Sequence, residues 1–131
     1  MSTPPHPILA YQERTPRMKD YRTITQNISA GIKEWRTTQP DAQAAFHALA
    51  KTTMAPGALD TKTKELIALA LGVAAHCDGC LGFHTQALAR LGATKDEVAE
   101  TLSVAVYMGG GPSLMYAADA MTAFLQATET Q

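Results

Sequence analysis

The chain has 131 residues, 46% of them hydrophobic, and a formal net charge of −1, which suits one domain that buries roughly two thirds of the surface of its unfolded form without disulfide staples. Lys and Arg are scattered along it, so there is no basic stripe for nucleic acid and no block that would seek anionic lipid. No stretch reaches the roughly 18 consecutive apolar residues of a membrane span, and the opening MSTPPHPILAYQERTPR has prolines and charges where a secretory signal has its apolar core, so the protein is expected in the cytoplasm with small molecules or proteins as partners.

Residues 1–17 carry Pro4, Pro5, Pro7 and Pro16, which deny them helical and inner-strand hydrogen bonding, and read as an extended arm ahead of a single domain over 18–131. From Met18 the pattern is helical, with Tyr21, Ile24, Ile28, Ile32 and Trp35 on one face. Pro40 opens a second amphipathic helix whose face is Ala42, Ala45, Phe46, Leu49 and Ala50, stopped by Pro56-Gly57. After Asp60 or Thr61 as cap, Leu66, Ile67, Leu69, Leu71 and Val73 are apolar nearly all round and predict a buried central helix. His76 reads as a helix-end residue. A helix from Cys77 to Leu91 closes at Gly92, and Thr94-x-x-Glu97 has the form of a capping box, which decides for helix over strand in the following LSVAVY. Beyond Gly109-Gly110-Gly111-Pro112, Leu114, Ala117, Ala118, Met121 and Leu125 build a last helix. The expected fold is an all-α bundle of about six helices. Its faces are rich in Ala, and one Trp, four Tyr and three Phe are few large residues for a core, so contacts between copies are expected to add stability.

The stretch Glu65 to His84, ELIALALGVAAHCDGCLGFH, holds both cysteines, two of the four histidines and a carboxylate inside an otherwise apolar helix. On a helix Cys77, Cys80 and His84 share one face, and residues three apart lie about 5–6 Å from each other, within the reach of a disulfide. In a reducing compartment such a pair is a redox or metal site rather than a staple. The break at His76-Cys77-Asp78-Gly79 puts Cys77 near a helix N-terminus, where amide groups and the helix dipole favour thiolate. His84 can act as acid or base near neutral pH, and Glu65 can orient it, hold a water, or act only as a first-turn acid on the helix dipole.

Glu65, eleven residues, Cys77-x-x-Cys80, three residues, His84 resembles the carboxymuconolactone decarboxylase and alkylhydroperoxidase D superfamily, in its peroxidase-like branch. The similarity runs on through GFHTQALARLGATKDEVAETLSVAVYMGGGPSLMYAADA and covers roughly residues 40 to 125. The resemblance implies an all-α fold, a homo-oligomer (trimer or hexamer), and a thiol-dependent antioxidant oxidoreductase. In it Cys80 attacks a hydroperoxide, Cys77 resolves the sulfenic acid to a disulfide, and Glu65 and His84 relay protons. It further implies an external dithiol donor such as a lipoylated or thioredoxin-like protein, and neither cofactor nor metal. One position departs: alkylhydroperoxidase D proper has a histidine just before its second cysteine, and here that residue is Gly79. The relay then lacks an imidazole, which leaves a disulfide or another electrophile as an alternative substrate, and Gly79 and Gly82 are expected to leave space beside the thiols for a bulky partner.

Three other activities fit the same residues. The superfamily's other branch performs cofactor-free decarboxylation or lactone chemistry, which does not require Cys-x-x-Cys. A metal site would use Cys77, Cys80, His84 and either Glu65 or His76, although structural zinc sites usually draw their second ligand pair from another segment. A redox-sensing module would use the thiols without multiple turnover.

Overall fold

The computed structural model describes residues 1–4 and 18–129, so most of the expected N-terminal arm, residues 5–17, lies outside the described residues. Among the described residues there are six helices and no strand: α1 Tyr21–Arg36, α2 Pro40–Met54, α3 Thr61–Ala74, α4 Asp78–Arg90, α5 Lys95–Gly109 and α6 Gly111–Thr128. The expected all-α bundle is observed.

Local chemistry sets the helix ends. Asp20 caps α1 by accepting from the amides of Arg22 and Thr23, and Pro40 stands in the first turn of α2. Asp60 caps α3 by accepting from Thr63 N at 2.7 Å. At α5 the Thr94 and Glu97 side chains accept from each other's amides at 3.1 and 2.8 Å, which completes the capping box. Gly92, at φ 76°, follows α4 and turns the chain toward α5.

The core lies between α3, α4, α5 and α6, with Tyr21 of α1 added at one end. Leu69 and Val73 from α3, Leu81 and Leu88 from α4, Val98 and Leu102 from α5 and Phe124 from α6 are its large members. The most buried helix is α6, through Ala117, Ala120, Ala123, Phe124 and Ala127, whose small side chains let its axis approach its neighbours closely.

Three expected faces differ from those observed. Helix α3 is not buried all round: Ile67 and Leu71 are 45% and 64% exposed, because only its Glu65, Leu69, Gly72 and Val73 face meets neighbouring helices. Helix α2 has no buried residue at all, and Phe46 and Leu49 of its apolar stripe face solvent. On α1 the expected face divides, with Tyr21 buried and Trp35 exposed, since only the first half of the helix lies against α4 and α6. No described helix is long and apolar enough to cross a membrane.

Candidate functional site

Helices α3 and α4 run antiparallel along one seam. At one end, Glu65 of α3 meets His84 of α4, with Glu65 Oε2 2.6 Å from His84 Nδ1. At the other, Gly72 of α3 lies so close to α4 that a Cβ on it would stand 2.9 Å from Cys80 Cβ. Only a residue without a side chain admits this approach, which seats Cys80 on the same seam as the Glu65–His84 pair. Cys80 and His84 are four apart on α4 and therefore one above the other, at about 5–6 Å between Cβ atoms.

Glu65 is 9% exposed. A carboxyl group this deep in an apolar helix needs a partner, and His84 provides it. With Glu65 as a carboxylate, His84 Nδ1 carries the hydrogen and Nε2 is left as the basic nitrogen. The expectation that Glu65 only serves a helix dipole does not account for this bond.

Cys77 is the N-cap of α4 rather than part of the helix, and its sulfur accepts from Cys80 N at 3.1 Å. The two cysteines form a disulfide with Cα atoms 5.2 Å apart, inside the range such bridges prefer. Both are half-buried, as is His84. Glu65, Cys77, Cys80 and His84 thus come together where α3 and α4 meet. A four-ligand metal set does not: among the described residues no group of three or more His, Cys, Asp or Glu converges as metal ligands, and His76 turns instead to Tyr116, with ring centroids 4.7 Å apart and planes at 14°.

The space expected beside Gly79 and Gly82 is filled. A Cβ on Gly79 would lie 2.6 Å from Ile28 Cδ1, and one on Gly82 would lie 2.5 Å from Thr25 Cγ2 and 3.4 Å from Tyr21 O. Helix α1 occupies this side of the disulfide, so the missing imidazole is replaced by an isoleucine from another helix and not by a cleft.

One group of residues at the site is not visible in the sequence. Helix α3 ends in a Schellman motif in which His76 N donates to Val73 O at 3.1 Å and Cys77 N to Gly72 O at 3.0 Å. His76 takes the left-handed position of that motif, at φ 55°, where an L-residue costs about 1–2 kcal/mol. Helix α4 ends in the same motif, with Gly92 N to Ala89 O and Ala93 N to Leu88 O, and there the position is glycine. On the other side of Cys77, Lys19 Nζ donates to Asp78 Oδ1 at 3.2 Å and to Asp119 Oδ2 at 2.9 Å, and stands 5.3 Å from the Tyr116 ring centroid. The Asp119 and Asp78 carboxylates hold the Lys19 ammonium well above its ordinary pKa. Beneath them Tyr21 is buried, its hydroxyl without a hydrogen-bond partner among the described residues, and its pKa is pushed up to about 12, first by burial and then by the charge of Asp119. A histidine just before Cys77 is the only sequence signal of this group, since its partners are distant in the chain.

Comparison with known proteins places the chain in a family. Residues 40–123 match the model of the carboxymuconolactone decarboxylase family. An uncharacterized protein of Cupriavidus necator is 39% identical over 105 residues, covering 80% of this chain and 93% of that one. A Paracoccus denitrificans protein from the cox locus is 36% identical over 93 residues, covering 71% and 84%. Among solved structures, a carboxymuconolactone decarboxylase family protein from Legionella pneumophila, in its apo form, superposes with a TM-score of 0.81 at 51% identity, covering 82% of this chain and 96% of that one. A Thermotoga maritima protein of the same family, described with an antioxidative response as a candidate role, gives 0.72 at 25% identity, covering 81% and 91%. Helix α1, which supplies Ile28 and Thr25, precedes the residues matched by the family model. The chain belongs to the carboxymuconolactone decarboxylase family.

Proposed function

We propose that the protein is a thiol-dependent oxidoreductase that reduces hydroperoxides through a dithiol and disulfide cycle of Cys77 and Cys80. The observation that carries this reading is the Glu65–His84 hydrogen bond on the same helix seam as a cysteine pair already within bonding reach. In the cycle the Cys80 thiolate attacks the terminal oxygen of a hydroperoxide. An S–O bond forms, the O–O bond breaks, and the alcohol leaves with a proton delivered through His84, which Glu65 orients. The Cys77 thiolate then attacks the sulfur of the Cys80 sulfenic acid, an S–S bond forms, and the hydroxyl leaves as water after taking a proton. An external dithiol returns both cysteines to thiols and becomes a disulfide itself. The N-cap position of Cys77 supports its part, since the Cys80 amide and the first turn of α4 favour a thiolate there. The description of the Thermotoga maritima relative points in the same direction.

The test is steady-state consumption of an organic hydroperoxide with dithiothreitol, a lipoyl dithiol or a thioredoxin-type donor. Turnover is expected for the wild type and lost in Cys80→Ser; full activity in both single cysteine variants overturns the reading. Decarboxylation of a muconolactone that survives alkylation of both thiols would put the family's other chemistry in its place.

We further propose that the working form is a homo-oligomer. Helix α2 has no fully buried residue, and Phe46, Leu49, Val104, Tyr107 and Met108 are exposed, large apolar side chains that contacts between copies would cover. Light scattering coupled to gel filtration should give a multiple of 14.0 kDa; a monomer at micromolar concentration contradicts it.

A further inference from the structure

Cys77 stands between two residues that are both tied to one turn of α6. His76, before it, stacks on Tyr116, and Asp78, after it, is bridged by Lys19 to Asp119. Tyr116 and Asp119 are three apart on α6 and share a face. The reactive turn is thus held from both flanks by a helix that carries neither cysteine.

The backbone at His76 sharpens the point. A chain that needed only to end α3 would be served better by glycine, as it is at Gly92 in the same motif after α4. Histidine accepts the left-handed conformation more readily than most residues but still at a cost. What it brings is a ring for Tyr116.

We propose that this two-point clamp is a positioning device that keeps Cys77 within reach of Cys80 when both are thiols, and so sets the redox poise of the pair. In the disulfide the covalent bond holds the two sulfurs together, and the clamp adds little. Once two electrons and two protons from a dithiol have opened the bond, the flanking contacts act with the Cys80 amide and the backbone bonds from Cys77 N to Gly72 O and from Leu81 N to Cys77 O to keep the Cys77 thiol in place. The equilibrium between dithiol and disulfide depends on the effective concentration of one thiol at the other, which rises as the turn is held more tightly. A looser turn lowers that concentration and favours the dithiol. His76, Tyr116, Lys19 and Asp119 are positioning residues, acting through Cys77. The inference deepens the proposed dithiol cycle and rests on that reading for its biological use, but not for its test.

The test is equilibrium of the full chain with glutathione buffers of graded ratio, followed by alkylation and mass spectrometry, for wild type, His76→Gly, Tyr116→Leu and Lys19→Met. In each vessel two glutathione thiols become one glutathione disulfide for each Cys77–Cys80 bond opened. His76→Gly relieves the left-handed backbone, so its melting temperature should equal or exceed that of the wild type, yet its equilibrium should move toward dithiol by about tenfold, which is about 30 mV. Tyr116→Leu should move it in the same direction and Tyr116→Phe, which keeps the stack, should not. Lys19→Met should give a smaller shift of the same sign. A purely structural role for His76 leaves the equilibrium of His76→Gly within twofold of the wild type, and that result overturns the clamp. Tyr116→Leu tests the same contact from α6 should His76→Gly not fold. A wild type that exchanges with glutathione but consumes no hydroperoxide removes the peroxidase reading while leaving the clamp to stand or fall on the shifts.

Discussion

Glu65 Oε2 and His84 Nδ1 are 2.6 Å apart, and this bond joins the helix that ends at the reactive turn to the helix that begins there. Its loss should be felt in chemistry before stability. Glu65→Gln retains the shape and can still accept from His84, but it removes the charge that stabilises a protonated imidazole. Hydroperoxide turnover should fall by about 10²-fold or more, with helical circular dichroism unchanged. His84→Ala should in addition destabilise the fold by about 1–3 kcal/mol, because it strands a buried carboxyl group. Turnover in Glu65→Gln within twofold of the wild type would take the pair out of the relay.

Gly79 offers a test of why the second imidazole is missing. A Cβ there would lie 2.6 Å from Ile28 Cδ1, so Gly79→His should destabilise the protein by about 1–3 kcal/mol through overpacking. Shortening the obstacle in Gly79→His with Ile28→Ala should recover part of that loss. Thermal unfolding of the two single variants and the double variant measures the coupling. Additive losses would mean that Ile28 does not exclude a side chain from position 79.

Acid should weaken the caps. Glu97 is held below its ordinary 4.5 by Lys62 and by the Thr94 amide, and Asp60 below 3.8 by its bonds to Thr63. A carboxyl group whose pKa is lower in the folded protein than in the unfolded chain stabilises the fold above its unfolded pKa, and that stabilisation is lost as pH falls through the folded value. The melting temperature should therefore hold down to about pH 5 and decline below it. Glu97→Gln, which can still close the capping box, should flatten the decline. Thr94→Ala should cost about 1 kcal/mol at neutral pH. An acid limb identical in wild type and Glu97→Gln would assign the decline to other groups.

The helix ends were legible in the sequence because their causes are local. Asp60 and the Thr94–Glu97 pair bond amides within three residues of themselves, and Pro40 and Gly92 act through their own backbone conformation, so six helices followed from reading along the chain. Which faces are covered was not legible, because that depends on which helix packs on which. The run from Leu66 to Val73 is hydrophobic enough to sit at the centre, but only its Leu69 and Val73 face is covered, just as α6 buries its alanine face and leaves Leu114, Met115 and Leu125 exposed. At the site, the spacing of Cys77, Cys80 and His84 and the burial of Glu65 could be read as a unit. Ile28 beside Gly79 and Tyr116 beneath His76 could not, because both contacts join helices remote in sequence.

The central claim is that Cys80 is the sulfur that meets the hydroperoxide and Cys77 the one that resolves it. The most direct measurement is mass spectrometry of reduced Cys77→Ser and Cys80→Ser treated with one equivalent of organic hydroperoxide and trapped with dimedone. A dimedone adduct on Cys80 in Cys77→Ser, formed within seconds, with none on Cys77 in Cys80→Ser, is the predicted result. Rapid adduct formation on Cys77 with Cys80 unmodified, or no adduct on either, would contradict it.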